Sequence, residues 1–386
     1  MTVRIINSDV FKGLAELEDE SVHAVVTSPP YWGLRDYGVE GQIGLEPTLG
    51  EHLETMVKVM REVRRVLRPD GTVWLNYGDC YATAVNDRSA ADTKALGNDD
   101  RTFRDKPFST TGPIYVADAE KGDRRGEKTN KQHTHAGQAI HTGRIAAGGT
   151  LKPKDLCMIP NRLAIALQDD GWWVRSEIIW HKPNPMPESI KDRPAVSHEK
   201  IWLLTKSRRY FYDATAVRTP AAESSIQRWA QDIENQEGST RANGGRKTNG
   251  NMKAVGGPHK SDKQRGHSRR HAGFNDRWDK MSKEEQQASR ANLRNVWTIP
   301  TKPFSEAHFA TFPPDLIEPC IKAGCPQGGL VLDTFGGAGT TALVADRLGR
   351  DAVLIELNPE YCELAERRIS GDAPMFTDVE TTAVPA

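Results

Sequence analysis

The segment Ser28-Pro29-Pro30-Tyr31 carries residue types that could act on a planar group bearing an amine. It directly follows the apolar run from His23 to Thr27, which is typical of a strand. Two successive prolines end a strand and supply no backbone donors, so the carbonyl groups before them lack partners in the sheet. A hydroxyl and a carbonyl could then hold the amine while the aromatic ring stacks on its heterocycle. The alternative interpretation is an ordinary strand end with Tyr31 and Trp32 packed in the core.

A second candidate site is the Gly-rich turn from Phe335 to Thr340, which lies between an apolar strand and a helix. Glycines let the backbone turn sharply and approach a ligand closely. Glu356 ends the next apolar run, where a carboxylate can accept hydrogen bonds from both hydroxyls of a ribose. The turn alone is a weak signal, because strand-to-helix turns also occur without a ligand.

The position of this turn in the sequence constrains the fold more than its residue types do. After it we expect one helix, one strand and a final helix, and two parallel strands do not make a stable sheet. The remaining strands must therefore come from the N-terminal region, where alternating strands and helices are predicted. The sequence thus predicts an α/β fold with a mostly parallel, doubly wound and circularly permuted nucleotide-binding sheet. This order disfavours an NAD dehydrogenase, in which such a turn opens the dinucleotide-binding half.

Together the two segments resemble the motifs of one family. Thr27 to Trp32 resembles the catalytic motif of the amino-methylating DNA methyltransferases, and Asp333 to Thr341 resembles their S-adenosylmethionine motif. The catalytic motif comes first and the cofactor motif last, which is the order of the β group. The resemblance implies a Rossmann-like methyltransferase fold. It also implies methyl transfer from S-adenosylmethionine to the exocyclic amine of a base flipped out of double-stranded DNA.

The resemblance also implies roles for individual residues. The catalytic residues would be Ser28, Pro29, Pro30 and Tyr31, with the Ser28 hydroxyl and the Pro29 carbonyl accepting from the target amine. The cofactor-binding residues would be Asp9, Phe312, Asp333, Phe335, Gly336, Gly337, Gly339, Thr340, Glu356 and Asn358. Among these, Glu356 would bind the ribose and Asp9 would approach the adenine. Thr334 departs from the family pattern, because many members have proline there.

The target base is inferred from the residue before Pro-Pro-Tyr. A serine there is associated in this family more with cytosine N4 than with adenine N6, so cytosine is favoured and N6-adenine is the alternative. A catalytically inert DNA-binding protein with the same sheet is the alternative from another class. The C5-cytosine methyltransferases attack through a cysteine after a proline. Pro319-Cys320 precedes the Gly-rich turn instead of following it, so we expect Cys320 to be a core residue.

The charge distribution favours DNA recognition in one segment. The chain has 52 Lys and Arg and 52 Asp and Glu, but residues 241–294 hold 14 basic against 5 acidic residues. This basic island lies within residues 214–294, which we predict to be an irregular target-recognition region. Cations there would contact phosphates or base edges, with Arg265, Arg269 and Arg270 as candidates. The alternative is a solvated linker.

The predicted order along the chain is a catalytic half (1–85 and 151–213), a flexible insertion (86–150), the recognition region (214–294), a cofactor-binding half (295–370) and a disordered tail (371–386). The five cysteines are scattered, and no histidine cluster has a cysteine nearby, so no metal site is expected. No apolar run reaches the roughly 18 residues of a membrane helix, which predicts a cytoplasmic protein. The expected partners are double-stranded DNA and a cognate restriction endonuclease, with the protein a monomer or a dimer.

Overall fold

The sheet that carries the candidate site is seen in a computed structural model that describes residues 1–33, 39, 41–82, 151–152, 154–220, 290–302, 312–372 and 378–384. The strands are β1 (Thr2–Asn7), β2 (Val22–Thr27), β3 (Leu67–Tyr77), β4 (Trp173–His181), β5 (His198–Thr205), β6 (Thr219–Pro220), β7 (Arg290–Ala291), β8 (Val296–Thr298), β9 (Leu330–Asp333), β10 (Asp351–Glu356) and β11 (Asp378–Ala383). The helices are α1 (Val10–Ala15), α2 (Leu49–Val66), α3 (Ile159–Asp169), α4 (Pro314–Gly324), α5 (Thr340–Arg347) and α6 (Pro359–Asp372).

Nine of these strands form one sheet in the order β11-β1-β10-β9-β2-β3-β5-β4-β8. Its neighbouring strands are parallel except where β5 pairs with β3 and with β4. Strand β2 lies beside β9, with Ala24 opposite Val331 and Val25 opposite Leu332, although the two strands come from opposite ends of the sequence. The predicted mostly parallel and permuted sheet is confirmed.

Helices cover the sheet in two groups. Helices α1, α2 and α3 pack together, and α4, α5 and α6 pack together. Helix α2 shows how the sequence directs this packing. It begins after Thr48, whose hydroxyl accepts from the Glu51 N–H, and it buries Met56, Met60 and Val63 along one stripe. The two groups give the doubly wound α/β architecture that the sequence predicts.

The predicted disordered tail, residues 371–386, is wrong at residues 371–372 and 378–383. Helix α6 continues to Asp372, and Asp378–Ala383 form β11, which pairs in parallel with β1 from Thr2 to Asn7. Strand β11 is mostly exposed and buries little apolar surface, so its sequence gives no core signal. Its backbone instead pairs with the N–H and C=O groups that β1 would otherwise present as a sheet edge.

Residues 214–293 form a second compact unit, separate from the unit built by residues 1–213 and 294–386. In its described part, β6 and β7 pair antiparallel, with Thr219 opposite Ala291. The predicted DNA contacts Arg265, Arg269 and Arg270 lie outside the described residues, as does the predicted insertion 86–150. Among the residues that the structure describes, no helix is long and apolar enough to span a membrane.

Candidate active site

A cavity of about 1480 Å³ opens at the carboxyl ends of the parallel strands. This edge is where open α/β sheets bind their ligands. Most of the predicted site residues line it: Asp9, Ser28, Pro29, Pro30, Tyr31, Phe312, Phe335, Gly336, Gly337, Thr340, Glu356 and Asn358. Its volume exceeds the roughly 300–1,000 Å³ of a typical small-molecule pocket. The structure therefore brings both predicted motifs into one cavity with room for more than one ligand group.

The two motifs are linked directly beneath the cavity. The Thr27 hydroxyl, one residue before Ser28, lies 3.1 Å from the Thr334 hydroxyl at the start of the Gly-rich turn. The Thr341 hydroxyl lies 3.3 Å from the Val26 carbonyl oxygen and donates at 2.6 Å to Asp333. Thr334 thus contributes a hydroxyl that joins the end of β2 to the end of β9.

Asp333 and Gly339 are predicted cofactor-binding residues that do not line the cavity. Asp333 is buried and accepts from the Phe335 N–H at 3.1 Å, so it shapes the turn from below. Gly339 has a φ of +75°, and a Cβ on it would approach the Ala365 Cβ to 2.8 Å. Their places in the structure indicate support of the turn and of the α5–α6 contact rather than contact with a ligand.

The environment of Asp333 has a consequence for stability. Desolvation by burial raises the pKa of Asp333 to about 7, against the hydrogen bonds from Thr341, Thr27 and Phe335 that lower it. The folded protein therefore binds a proton on this group more tightly than the unfolded chain does. Its contribution to stability is complete below pH 4 and is lost as the pH rises through about 7.

Glu356 ends β10 and faces the cavity. Its carboxylate accepts from the Gly337 N–H at 2.8 Å and from the Asn358 N–H at 2.9 Å. Burial raises its pKa. A carboxylate has about four acceptor positions, so two further hydrogen bonds can be made to a ligand. This geometry fits a group with adjacent hydroxyls, such as a ribose.

Ser8, at the end of β1, adds a polar atom that sequence reasoning missed. Its N–H donates to the Glu356 carbonyl at 3.0 Å, which places it beside the end of β10. Ser8 lines the cavity, and its hydroxyl is buried and has no hydrogen-bond partner among the described residues. A buried hydroxyl without a partner is costly, and a polar ligand bound in the cavity would satisfy it. The neighbouring Asp9 also lines the cavity, and its carboxylate caps α1 by accepting from the Phe11 and Lys12 N–H groups at 3.0 Å.

Tyr31 is held in a fixed orientation at the other end of the cavity. Its ring stacks on Tyr77 with centroids 4.8 Å apart, and its hydroxyl donates to Glu199 at 2.9 Å. The Ser28 hydroxyl lies 3.5 Å from the Tyr31 hydroxyl. Burial and the Glu199 carboxylate raise the pKa of Tyr31, which keeps the phenol protonated. Trp32 instead is buried in the core, as the alternative interpretation of this segment proposed.

Two further polar residues around Tyr31, Asn76 and Glu199, were not predicted. Asn76 at the end of β3 donates to Glu199 at 3.3 Å, and Glu199 pairs with Lys182, which lies 4.2 Å from the Trp180 ring centroid. All four residues line the cavity. Glu199 lies on the antiparallel strand β5, and no local pattern marks which of its residues reaches the site.

Cys320 lies in α4 and is buried, with its thiol 3.4 Å from the Leu316 carbonyl oxygen. It does not line the cavity, and burial raises its pKa. A thiol in this state is inert, because the thiolate is the nucleophile. The expectation that Cys320 is a core residue is confirmed.

The sequence profile described as DNA methylase, of the N6/N4 type, matches residues 22–367. The match spans both motifs of the cavity and most of the chain. The chain belongs to the N6/N4 DNA methylase family. Members of this family use S-adenosylmethionine as the methyl donor, and the predicted family and fold class are confirmed.

Individual DNA methylases show the extent of the similarity. The chain is 39% identical to the Type II methyltransferase M.XycI of Xanthomonas campestris pv. cyanopsidis over 367 residues, 95% of this chain and 87% of that protein. It is 36% identical to the Type II methyltransferase M.SmaI of Serratia marcescens, covering 95% and 90% of the two chains. The PvuII DNA methyltransferase (cytosine-N4-specific) has a similar fold, with a TM-score of 0.52 at 16% identity over 98% of this chain and 95% of that one.

Proposed function

We propose that the protein transfers a methyl group from S-adenosylmethionine to N4 of a cytosine within a specific DNA sequence. The observation that carries this proposal is the single cavity that holds Ser28 to Tyr31 at one end and Glu356 with the Gly-rich turn at the other. Methyl transfer needs the donor and the target amine side by side, and the presence of a candidate motif for each in one cavity supports the proposal.

The chain's own residues would hold the cofactor at the β1–β10–β9 end. Glu356 accepts hydrogen bonds from the ribose hydroxyls, and the Ser8 hydroxyl gains the polar partner that it lacks. The backbone of Phe335, Gly336 and Gly337 lies along the methionine part. When bound, S-adenosylmethionine supplies an electrophilic methyl group on its sulfonium.

Residues 28–31, the catalytic loop, would prepare the amine as a nucleophile. The lone pair of an aryl amine is delocalised into the ring, so the amine attacks poorly until its hydrogens are held by acceptors. The Ser28 hydroxyl and the Pro29 carbonyl accept those hydrogens and favour a more tetrahedral nitrogen. Tyr31 stacks on the flipped base, and its own orientation is fixed by Tyr77 and Glu199.

Two features support cytosine as the target. Ser28 stands where the family resemblance associates serine with N4 methylation. Lys182 lines the cavity beside Glu199, and its ammonium group has three donors. Cytosine presents two acceptors, N3 and O2, beside its amine, whereas adenine presents only N1 on the same edge. A cation at this end of the cavity therefore suits cytosine better.

Recognition of the DNA sequence is assigned to residues 214–294, with Arg265, Arg269 and Arg270 as phosphate or base contacts. Since M.XycI and M.SmaI are Type II methyltransferases, a restriction endonuclease that reads the same sequence is the proposed partner. Methylation would protect the host DNA from that enzyme.

The decisive experiment uses labelled S-adenosylmethionine and mixed-sequence DNA. After digestion to nucleosides, chromatography and mass spectrometry should identify N4-methylcytosine. N6-methyladenine as the sole product would refute the choice of base but keep the mechanism. 5-Methylcytosine would refute the mechanism, because it requires a covalent cysteine. DNA binding without binding of S-adenosylmethionine would favour the inert alternative.

A further inference from the structure

A buried hydrogen-bonded chain connects Glu46, His52 and Tyr77 beneath the catalytic loop. His52 lies on α2 with no exposed surface. Its Nδ1 is 2.8 Å from the Glu46 carboxylate and its Nε2 is 2.7 Å from the Tyr77 hydroxyl. Burying ionisable groups costs free energy even when they are paired, and apolar side chains would fill the same space at a lower cost. None of these three residues lines the cavity, and the proposed chemistry does not use them directly.

The Tyr77 hydroxyl is the point where this chain meets the loop. It accepts from the Trp32 N–H at 3.2 Å. Its single hydrogen can go to His52 Nε2 at 2.7 Å or to the Pro30 carbonyl oxygen at 3.3 Å, but not to both. In either case the hydroxyl holds the Trp32 N–H, directly after Tyr31. The Tyr77 ring also forms the platform on which the Tyr31 ring stacks, at an interplanar angle of 22°.

Glu46 fixes the outer end of the chain. Burial alone would raise its pKa, but the hydrogen bonds from His52 and from the backbone outweigh this effect and lower the pKa. The carboxylate is thus charged and receives the Nδ1 hydrogen of His52. The Glu46 carbonyl also accepts from the Trp32 indole at 2.8 Å, so the same residue anchors the loop a second time.

We infer that Tyr77, oriented by His52 and Glu46, is a positioning residue that sets the geometry of the catalytic loop. It acts on the loop through the hydrogen bond from the Trp32 N–H and through the face of Tyr31. A phenylalanine at this position would keep the packing and the platform but lose the hydrogen bond. The inference rests on the proposed role of residues 28–31 in catalysis.

The first test is Tyr77→Phe in the full-length protein with a methylatable DNA duplex. Losing the hydroxyl that holds the Trp32 N–H should lower kcat about tenfold, the effect of one hydrogen bond of roughly 1.4 kcal/mol, because the acceptors move relative to the amine. The KM for DNA and the Kd for S-adenosylmethionine should stay within about twofold. The control is Thr205→Val, which removes another buried hydroxyl, bonded to the Ser207 carbonyl at 2.9 Å on β5. It should lower the melting temperature similarly and leave kcat unchanged.

The second test is a double-mutant cycle with His52→Gln. If His52 acts through the Tyr77 hydroxyl, His52→Gln should lower kcat in the wild type but change it little in the Tyr77→Phe background. Losses that multiply, or a kcat for Tyr77→Phe within twofold of wild type, would overturn the inference. Ser28→Ala in the same assay separates a failure of this inference from a failure of the proposed role of residues 28–31. If Ser28→Ala loses activity and Tyr77→Phe does not, only this inference fails. If neither loses activity, the role of the loop fails with it.

Discussion

Replacing Glu356 with glutamine is the sharpest test of the cofactor end of the cavity. The carboxylate already accepts two backbone hydrogen bonds, from Gly337 and Asn358. Its remaining acceptor positions are assigned to the ribose. Glutamine keeps the size and one acceptor oxygen but presents an NH2 group where the second oxygen was.

The magnitude follows from what that exchange removes. A hydrogen bond to a charged group contributes about 1.5–3 kcal/mol. Loss of one ribose contact should therefore weaken binding of S-adenosylmethionine by about 10- to 150-fold. Calorimetric titration measures this change directly. Glu360→Gln is the matched control, because Glu360 is exposed in the first turn of α6 and does not line the cavity.

A modified ligand separates a lost ribose contact from a distorted turn. S-adenosylhomocysteine without its 2′-hydroxyl should bind the wild type more weakly than the parent compound. Glu356→Gln should bind the two compounds nearly equally if the carboxylate reads that hydroxyl. Discrimination that persists undiminished in the variant would refute the assignment, as would an affinity within twofold of wild type.

Three further outcomes are expected. Ser28→Ala should lower the single-turnover methylation rate by about 10- to 1,000-fold while the calorimetric affinity for S-adenosylmethionine is unchanged; an unchanged rate would contradict the role of this hydroxyl. Asp333→Asn should become more stable relative to wild type as the pH rises from 4 to about 7, because no buried carboxyl group has to ionise in the variant. The difference in the free energy of unfolding, measured with urea, should reach up to roughly 4 kcal/mol. Parallel pH profiles of the two proteins would disprove this. Replacing Arg265, Arg269 and Arg270 with alanine should weaken the salt dependence of DNA binding, measured by fluorescence anisotropy. The slope of log affinity against log salt concentration should fall in magnitude by about one unit per lost contact. An unchanged slope would place recognition elsewhere.

The residues that could be predicted are those whose chemistry depends on local backbone. Ser28 to Tyr31 and the Gly-rich turn each combine a strand end with residues that only such a turn needs, so their types and order carry the signal. Ser8, Asn76 and Glu199 could not be predicted in this way. Each is a common polar residue near one end or the other of an ordinary strand, and its place at the cavity depends on which strands are neighbours.

His52 shows the same limit within a helix. His52 lies on the same buried stripe of α2 as Met56, Met60 and Val63, where the sequence pattern alone gives no reason for a histidine. Its burial is explained only by Glu46 and Tyr77, which lie on other elements. The tail was misread for a related reason. Strand β11 is held by backbone pairing to β1, and backbone hydrogen bonds leave little trace in side-chain patterns.

The sequence by itself determined the class of fold, the permuted order of the motifs and the two candidate segments that meet at the cavity. These follow from hydrophobic periodicity, turn chemistry and motif order, which are local or depend only on succession along the chain. Tertiary structure decided which polar side chains surround those segments, that Asp333 and Gly339 support the turn from outside the cavity, and that Tyr77 underlies Tyr31. The physical reason is that strand neighbours such as β2 and β9 are set by packing between distant parts of the chain. The hydrogen bonds between these distant parts join residues whose pairing no local sequence pattern indicates.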